Sequence, residues 1–240
     1  MHLKVCEAEA IRYFAQQPGE VVTDTDSDPN GRILLNFRAK IPVPDDISMI
    51  IGDALQNLRS SLDYLVWELV LSANKQPGHG HMFPICDTPD AFEQAIKRGR
   101  LDNVPDEAIA EIKGLQPYHH PADKRAGTPI RVIDDFTNIN KHRRLLITVP
   151  AAYASKAKFK SSVVGETVQT TLGPRYDGAE LGVSPKPSSP DETMEVEGHA
   201  IFFITFNEGA AKGIEISSCM NQLWHFVDKF VIPKFERFFV

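Results

Sequence analysis

The sequence predicts an α+β fold in which helices and strands occupy separate stretches of the chain. Long segments with apolar residues at helical spacing dominate the first 150 residues, and segments rich in β-branched and aromatic residues follow Pro150. Because strands and helices do not alternate, βαβ winding is not expected. We expect a helical bundle core with an N-terminal β-hairpin and a C-terminal antiparallel β-rich segment closed by a final helix.

The overall composition is typical of an ordinary soluble globular protein. The chain has 240 residues, of which 42% are hydrophobic and 24% are charged, with a net charge of −6. We therefore expect a single domain over residues 1–240, and no basic coat for nucleic acid. Three widely spaced cysteines and the lack of a membrane-length apolar run predict a cytoplasmic protein without a membrane partner.

Residues 1–150 form the mainly helical part. Helical spacing predicts a helix at 2–16, and the turn-rich DSDPNG predicts a β-hairpin at 19–41. The longest helix is predicted over 47–71, with Asp45 or Asp46 as its cap. Its apolar stripe follows 4-3-4 spacing and consists of Ile51, Leu55, Leu58, Leu62, Leu65 and Leu69.

Three further helices are predicted before Pro150. DTPDAFEQAIKRG has a Thr or Asp cap with a proline in its first turn, and VPDEAIAEIKGLQPY is a second short helix. A longer helix is expected over 130–148. FPI, between the longest helix and the first short one, is predicted to be a short extended piece.

Strands and a final helix follow Pro150. AKFKSSVV, ETVQTTL and MEVEGHAIFFITFNE predict a β-rich part over 151–215, and the closing helix is expected over 216–239, where Pro233 should bend or interrupt it. This last helix should supply core contacts or a homodimer face through its aromatic residues Trp224, Phe226, Phe230, Phe235, Phe238 and Phe239.

Polar residues border the apolar faces of two predicted helices. On the 47–71 helix, Arg59 and Asp63 lie one turn apart at the edge of the stripe, and Asn57 lies on the opposite flank. On the 130–148 helix, Asp135 and His142 share the side that carries apolar residues. Polar groups that point inward need partners, so these spacings predict a polar network between the two helices.

Such a network has useful chemistry. Arginine binds phosphate or carboxylate, and histidine transfers protons near neutral pH, so the catalytic candidates are Arg59, Asp63 and His142. The candidates for binding a ligand or phosphate are Asn57, Asp135, Asn138, Lys141 and Arg143. The favoured interpretation of the same residues is a purely structural role, in which an Arg–Asp pair fixes how the helices dock.

Two weaker patterns have more ordinary explanations. Histidines in GHGH and YHHPAD could bind zinc, but HExxH is absent, so neither a metal nor a cofactor is expected. AKFKSSVV interleaves Phe159 with Lys156, Lys158 and Lys160, which could contact a nucleic-acid backbone. Lysines that protect a sheet edge are the favoured interpretation.

Several of these motifs resemble a widespread bacterial protein family without an assigned activity. GDALQNLRSSLD, FPI and NKHR resemble that family's GD-x-L-x-N-L-R-x-x-L-D helix, its FPI and its D-K-H-R block, over roughly residues 1–150. Asn140 stands where the family pattern has aspartate. The helical part is also loosely similar to HEPN-type bundles, and that resemblance implies a metal-independent ribonuclease built on Arg59 and His142.

Three functions are consistent with the sequence. The favoured hypothesis is a non-catalytic binding or assembly module that forms a homodimer through its aromatic C-terminal helix. The second is a ribonuclease of toxin or defence type, whose partner would be RNA or another phosphate-bearing ligand. The third is a metal-dependent hydrolase that uses the histidine loops.

Overall fold

The computed structural model describes residues 2–26, 28–142, 148–184 and 187–239. They form an α+β fold, which confirms the predicted fold class. The helices are α1 (His2–Ala15), α2 (Asp45–Ser72), α3 (Pro89–Lys97), α4 (Asp106–Gly114), α5 (Pro129–His142) and α6 (Ile216–His225). The strands are β1 (Gly19–Asp24), β2 (Leu34–Ala39), β3 (Thr148–Ser161), β4 (Gly165–Arg175), β5 (Glu180–Val183) and β6 (Met194–Phe206).

The strands form two antiparallel three-stranded sheets. The first has the order β1-β2-β5, and the second has the order β4-β3-β6. The predicted N-terminal hairpin is present, but it pairs with β5 from the C-terminal half rather than belonging to the helical part. Its register places Leu34 opposite Val183. The hairpin thus lies where it was predicted, and chain order did not indicate its pairing with β5.

The two sheets share an apolar core. Leu35 and Phe37 of β2 pack with Phe159 of β3 and Leu181 of β5, and all four are buried. Glycine permits a close approach between the sheets: a Cβ at Gly182 would lie 2.5 Å from the Cβ of Ala157. Side chains alternate between the two faces of a strand, so β3 contributes Phe159 to the core and its lysines to the other face.

The lysine strand is not a sheet edge, and this corrects the sequence interpretation. β3 lies in the middle of its sheet, between β4 and β6. Its lysines face glutamates on the neighbouring strands, with Lys158 Nζ 3.0 Å from Glu166 and Lys160 Nζ 3.2 Å from Glu195. Phe159 is buried and cannot stack on a base. Among the described residues, this face carries paired charges, and Phe159 does not supply an aromatic platform for a base.

The helices pack around α2, which is 28 residues long. Its predicted stripe forms much of the larger core, where Ile51, Leu55 and Leu62 are almost fully buried. α2 packs against α1, α5 and α6. The predicted cap is wrong: Pro44 occupies the N-cap position, and no side chain caps the helix. Asp45 and Asp46 lie in the first turn, where carboxylates interact favourably with the helix dipole.

Two predicted helices are shorter in the structure. α5 spans Pro129–His142, and Thr148, which was predicted to end it, is instead the first residue of β3. α6 ends at His225 and continues as a π-helical turn at Phe226–Val231 and two 3₁₀ turns, the first of which contains Pro233. Proline lacks the N–H that an α-helix needs at that point, which accounts for the predicted interruption. None of the helices in the described ranges combines the length and apolar character that crossing a bilayer requires.

The close contact between the sheets predicts a specific sensitivity. Gly182→Ala should lower the free energy of unfolding by about 1–3 kcal/mol, because the Cβ of Ala157 is attached directly to the backbone and cannot move aside. Urea unfolding would measure the loss. Gly80→Ala is the matched control, since a Cβ there meets no atom within 4 Å. Equal midpoints for the two variants would contradict the tight packing.

Candidate functional site

Arg59 and Asp63 bind both backbone groups of one residue, Phe83. Arg59 Nη2 donates to the Phe83 carbonyl at 2.8 Å, and the Phe83 N–H donates to Asp63 Oδ1 at 2.9 Å. The two side chains also pair with each other, with Arg59 Nη2 3.1 Å from Asp63 Oδ1. The predicted i,i+4 pair on α2 is thus present, and it is directed at an irregular segment of the chain. Arg59 is only 7% exposed.

The same irregular segment, residues 83–86, is also bound by a side chain just after α4. Gln116 follows that helix and is fully buried. Its Nε2 donates to the Pro84 carbonyl at 2.9 Å, and its Oε1 accepts from the Cys86 N–H at 2.9 Å. Phe83 and Pro84 are buried outside any helix or sheet, so their backbone groups need side-chain partners. Arg59, Asp63 and Gln116 supply those partners, and these three side chains are called the anchor of residues 83–86.

Asp134 on α5 lies beside this anchor. Its Oδ2 accepts from Arg131 Nη1 at 2.7 Å and from Asn138 Nδ2 at 3.2 Å. Arg131 also contacts Asp87, with Nε 3.3 Å from Oδ1. Burial raises the pKa of Asp134 above its ordinary value of 3.8, while the charges of Arg59 and Arg131 act to lower it. α2 and α5 therefore do pack together, and they bring Arg59 within electrostatic reach of Asp134.

Asp135 does not join this group, which corrects the sequence prediction. Its Oδ2 accepts from the Ala210 N–H at 2.9 Å, so it holds the loop between β6 and α6. The buried face of α5 is wider than the predicted stripe and includes Ile133, Phe136 and Thr137. Asp134 and Asp135 lie at opposite edges of this face. One carboxylate therefore faces α2, and the other faces the loop.

The remaining predicted residues are placed as follows. Asn138 contacts Asp134 as described, and Asn57 lies on the exposed side of α2. The side chains of Lys141 and His142 lie outside the described part of the structure, as does the whole of Arg143. The predicted meeting of Arg59 with His142 is therefore outside the described residues.

Two buried donors near residues 83–86 lack a partner within the described ranges. They are Arg59 Nη1 and the hydroxyl of Tyr118. Tyr118 is near enough for Cys86 to act on its pKa, which burial raises. Buried donors without an acceptor are costly, and in proteins a trapped water commonly satisfies them.

The charges around Arg59 do not favour an anion. Among the described residues, Arg59 is already paired with Asp63, and Arg131 with Asp87 and Asp134. A phosphate oxygen that reached Arg59 would meet these carboxylates, and like charges in a partly buried site repel strongly. The arrangement is chemically suited to fastening helices and to binding a neutral hydrogen-bonding group.

The histidine loops make other contacts. His81 Nε2 lies 2.8 Å from the Asp102 carbonyl, and His119 Nε2 lies 2.9 Å from the Lys113 carbonyl. Over the ranges that the structure describes, no three side chains of the His, Cys, Asp or Glu type converge as metal ligands. The metal-dependent hydrolase hypothesis therefore has no ligand set to support it there.

Sequence reasoning missed Gln116 and Asp134. Gln116 lies in LQPY, where the helix ends and an amide can reach a neighbouring backbone, but a single glutamine carries no distinctive signal. Asp134 could have been found, because Arg131, Asp134 and Asn138 follow the i, i+3, i+7 spacing of one helix face.

Comparison with protein-family models, curated proteins and solved structures finds no match to this chain.

The anchor predicts a large effect of Arg59 on stability. Arg59→Ala should lower the free energy of unfolding by roughly 2–4 kcal/mol, because it leaves the buried Phe83 carbonyl without a donor and Asp63 without its cation. Thermal and urea unfolding would measure this loss. Arg12→Ala is the control: that arginine pairs with Glu9 on the surface, and its removal should cost about 0.5 kcal/mol or less. A similar loss in both variants would contradict the anchoring role.

The raised pKa of Asp134 predicts how the stability of the fold changes with pH. Its pKa is raised in the folded state, so the folded protein holds this proton more tightly than the unfolded chain does. Its contribution to stability therefore falls as the pH rises from 3.8 through the folded-state pKa. The asparagine in Asp134→Asn cannot titrate. The free energy of unfolding of this variant, minus that of wild type, should therefore increase from acid to neutral pH. Urea unfolding across that window tests the sign, and a decreasing difference would contradict it.

Proposed function

We propose that this protein is a non-catalytic binding or assembly module, in which the network around Arg59 fixes the arrangement of its helices. One observation carries the proposal: Arg59 Nη2 is engaged by the chain itself, because it donates to the Phe83 carbonyl and lies 3.1 Å from Asp63 Oδ1. A catalytic guanidinium would have to present its donors to a substrate in an open site. Arg59 instead lies in the core.

The C-terminal segment provides the surface for assembly in this proposal. Trp224 and Phe230 are 41% and 53% exposed, which is unusual for large aromatic side chains. Lysines lie over both rings, with Lys229 Nζ 5.9 Å from the Trp224 centroid and Lys234 Nζ 5.0 Å from that of Phe230. Aromatic residues are enriched at protein interfaces, so a homodimer through this segment is the expected assembly.

A metal-independent ribonuclease remains the second candidate. Its support is Arg59 Nη1, a buried donor that has no partner among the described residues and could bind a phosphate oxygen. The surrounding carboxylates and the burial of Arg59 weaken this candidate, as does the net charge of −6. The homodimeric module therefore fits the observations better.

The assembly proposal predicts the mass of the protein in solution. Wild type should elute with twice the 26.8 kDa chain mass, and Phe230→Ser should shift the protein toward a monomer, because it removes an exposed aromatic contact. Size-exclusion chromatography with light scattering measures this directly. Tyr64→Ser, at an exposed tyrosine of α2, is the control and should remain dimeric. A monomeric wild type would refute assembly through this segment.

Ribonuclease activity has its own test. The module proposal predicts that purified protein does not cleave single-stranded RNA in the presence of a chelator. Cleavage that is lost in His142→Ala, with an unchanged melting temperature, would replace the module with the ribonuclease.

A further inference from the structure

A cleft of about 430 Å³ lies where four segments of the chain meet. Its wall is formed by the end of β2 with the residues that follow it, by Pro150 of β3, by the turn after β4, and by Asn207 after β6. This places it where both sheets end. Small-molecule sites in proteins commonly occupy clefts of roughly 300–1,000 Å³ at such junctions.

The wall of the cleft combines apolar surface with opposite charges. Pro42, Pro150 and Tyr176 offer rigid apolar surface, and Lys40 and Asp177 are the charged residues of the lining. Prolines and a tyrosine lose little conformational freedom when they bind, which makes them suitable contacts for a flat apolar group.

Both charged residues remain able to bind a ligand. Lys40 Nζ is 3.6 Å from Glu20, and both side chains are 38% exposed, so this surface ion pair is weak. Asp177 uses Oδ1 to accept from the Ala39 N–H at 2.8 Å. That bond orients the carboxylate, and the described residues provide no hydrogen bond for its second oxygen.

We propose that this cleft binds a free apolar amino acid in its zwitterionic form. The ligand's carboxylate binds Lys40, its ammonium group binds the second oxygen of Asp177, and its side chain packs on Pro42, Pro150 and Tyr176. A ligand with both charges can pair with Lys40 and Asp177 at once, whereas a ligand with one charge can pair with only one of them. The inference does not depend on the proposed function, because none of the lining residues belongs to the Arg59 network or to the C-terminal aromatic segment.

Three probes that share an indole ring test this assignment. L-tryptophan carries both charges, indole-3-propionate carries only the carboxylate, and tryptamine carries only the amine. Calorimetry and ligand-observed NMR on the full chain should show that L-tryptophan binds more tightly than either of the others. Each charged contact is expected to contribute about tenfold in affinity.

The variants separate the two contacts. Lys40→Gln should weaken L-tryptophan and indole-3-propionate about tenfold and leave tryptamine unchanged, whereas Asp177→Asn should weaken L-tryptophan and tryptamine. Asparagine can still accept from the Ala39 N–H, so the fold should be preserved, and circular dichroism verifies this. Lys75→Gln, at an exposed lysine outside the cleft, is the control. Absence of L-tryptophan binding at millimolar concentration, or equal affinity in all variants, would overturn the proposal.

Discussion

The architecture of the helical layer depends on how one buried, irregular stretch of chain satisfies its hydrogen bonds. Residues 83–86 enter the core without forming a helix or a sheet, and Phe83 is fully buried there. Backbone groups in such a stretch lose their water and must find protein partners. Arg59 and Asp63 supply them for Phe83, and Gln116 supplies them for Pro84 and Cys86. Two helices are thereby tied to one segment.

This constraint explains why charged groups border the apolar stripe of α2. A guanidinium in the core is costly unless its charge is paired and its N–H groups find acceptors. For Arg59, Asp63 provides the opposite charge and the Phe83 carbonyl accepts from Nη2. Asp134 of α5 lies within electrostatic reach on a neighbouring helix, and Arg131 and Asn138 hold it in place. The polar residues between α2 and α5 thus have partners within the chain, as buried polar groups require.

Periodicity and turn chemistry predicted the elements, while long-range pairing could not be predicted. The stripe of α2, the Thr88 cap of α3 and the 19–41 hairpin follow from local spacing and local hydrogen bonds. The pairing of β2 with β5, and the central place of β3, depend on contacts between distant segments that leave no local pattern. In the site, the i,i+4 pair of Arg59 and Asp63 was predictable. Its partner Phe83 was not, because the partner groups are backbone atoms and have no residue signature.

Hydrogen exchange of a single amide tests the central claim most directly. The N–H of Phe83 donates to Asp63, so in wild type it should exchange as slowly as the amides in the middle of α2. In Asp63→Ala the same amide should exchange much faster than those of α2, because its acceptor has gone while the helix remains. Slow exchange in wild type and selective loss of protection in the variant would establish the anchor. Fast exchange of the Phe83 amide in wild type would contradict it.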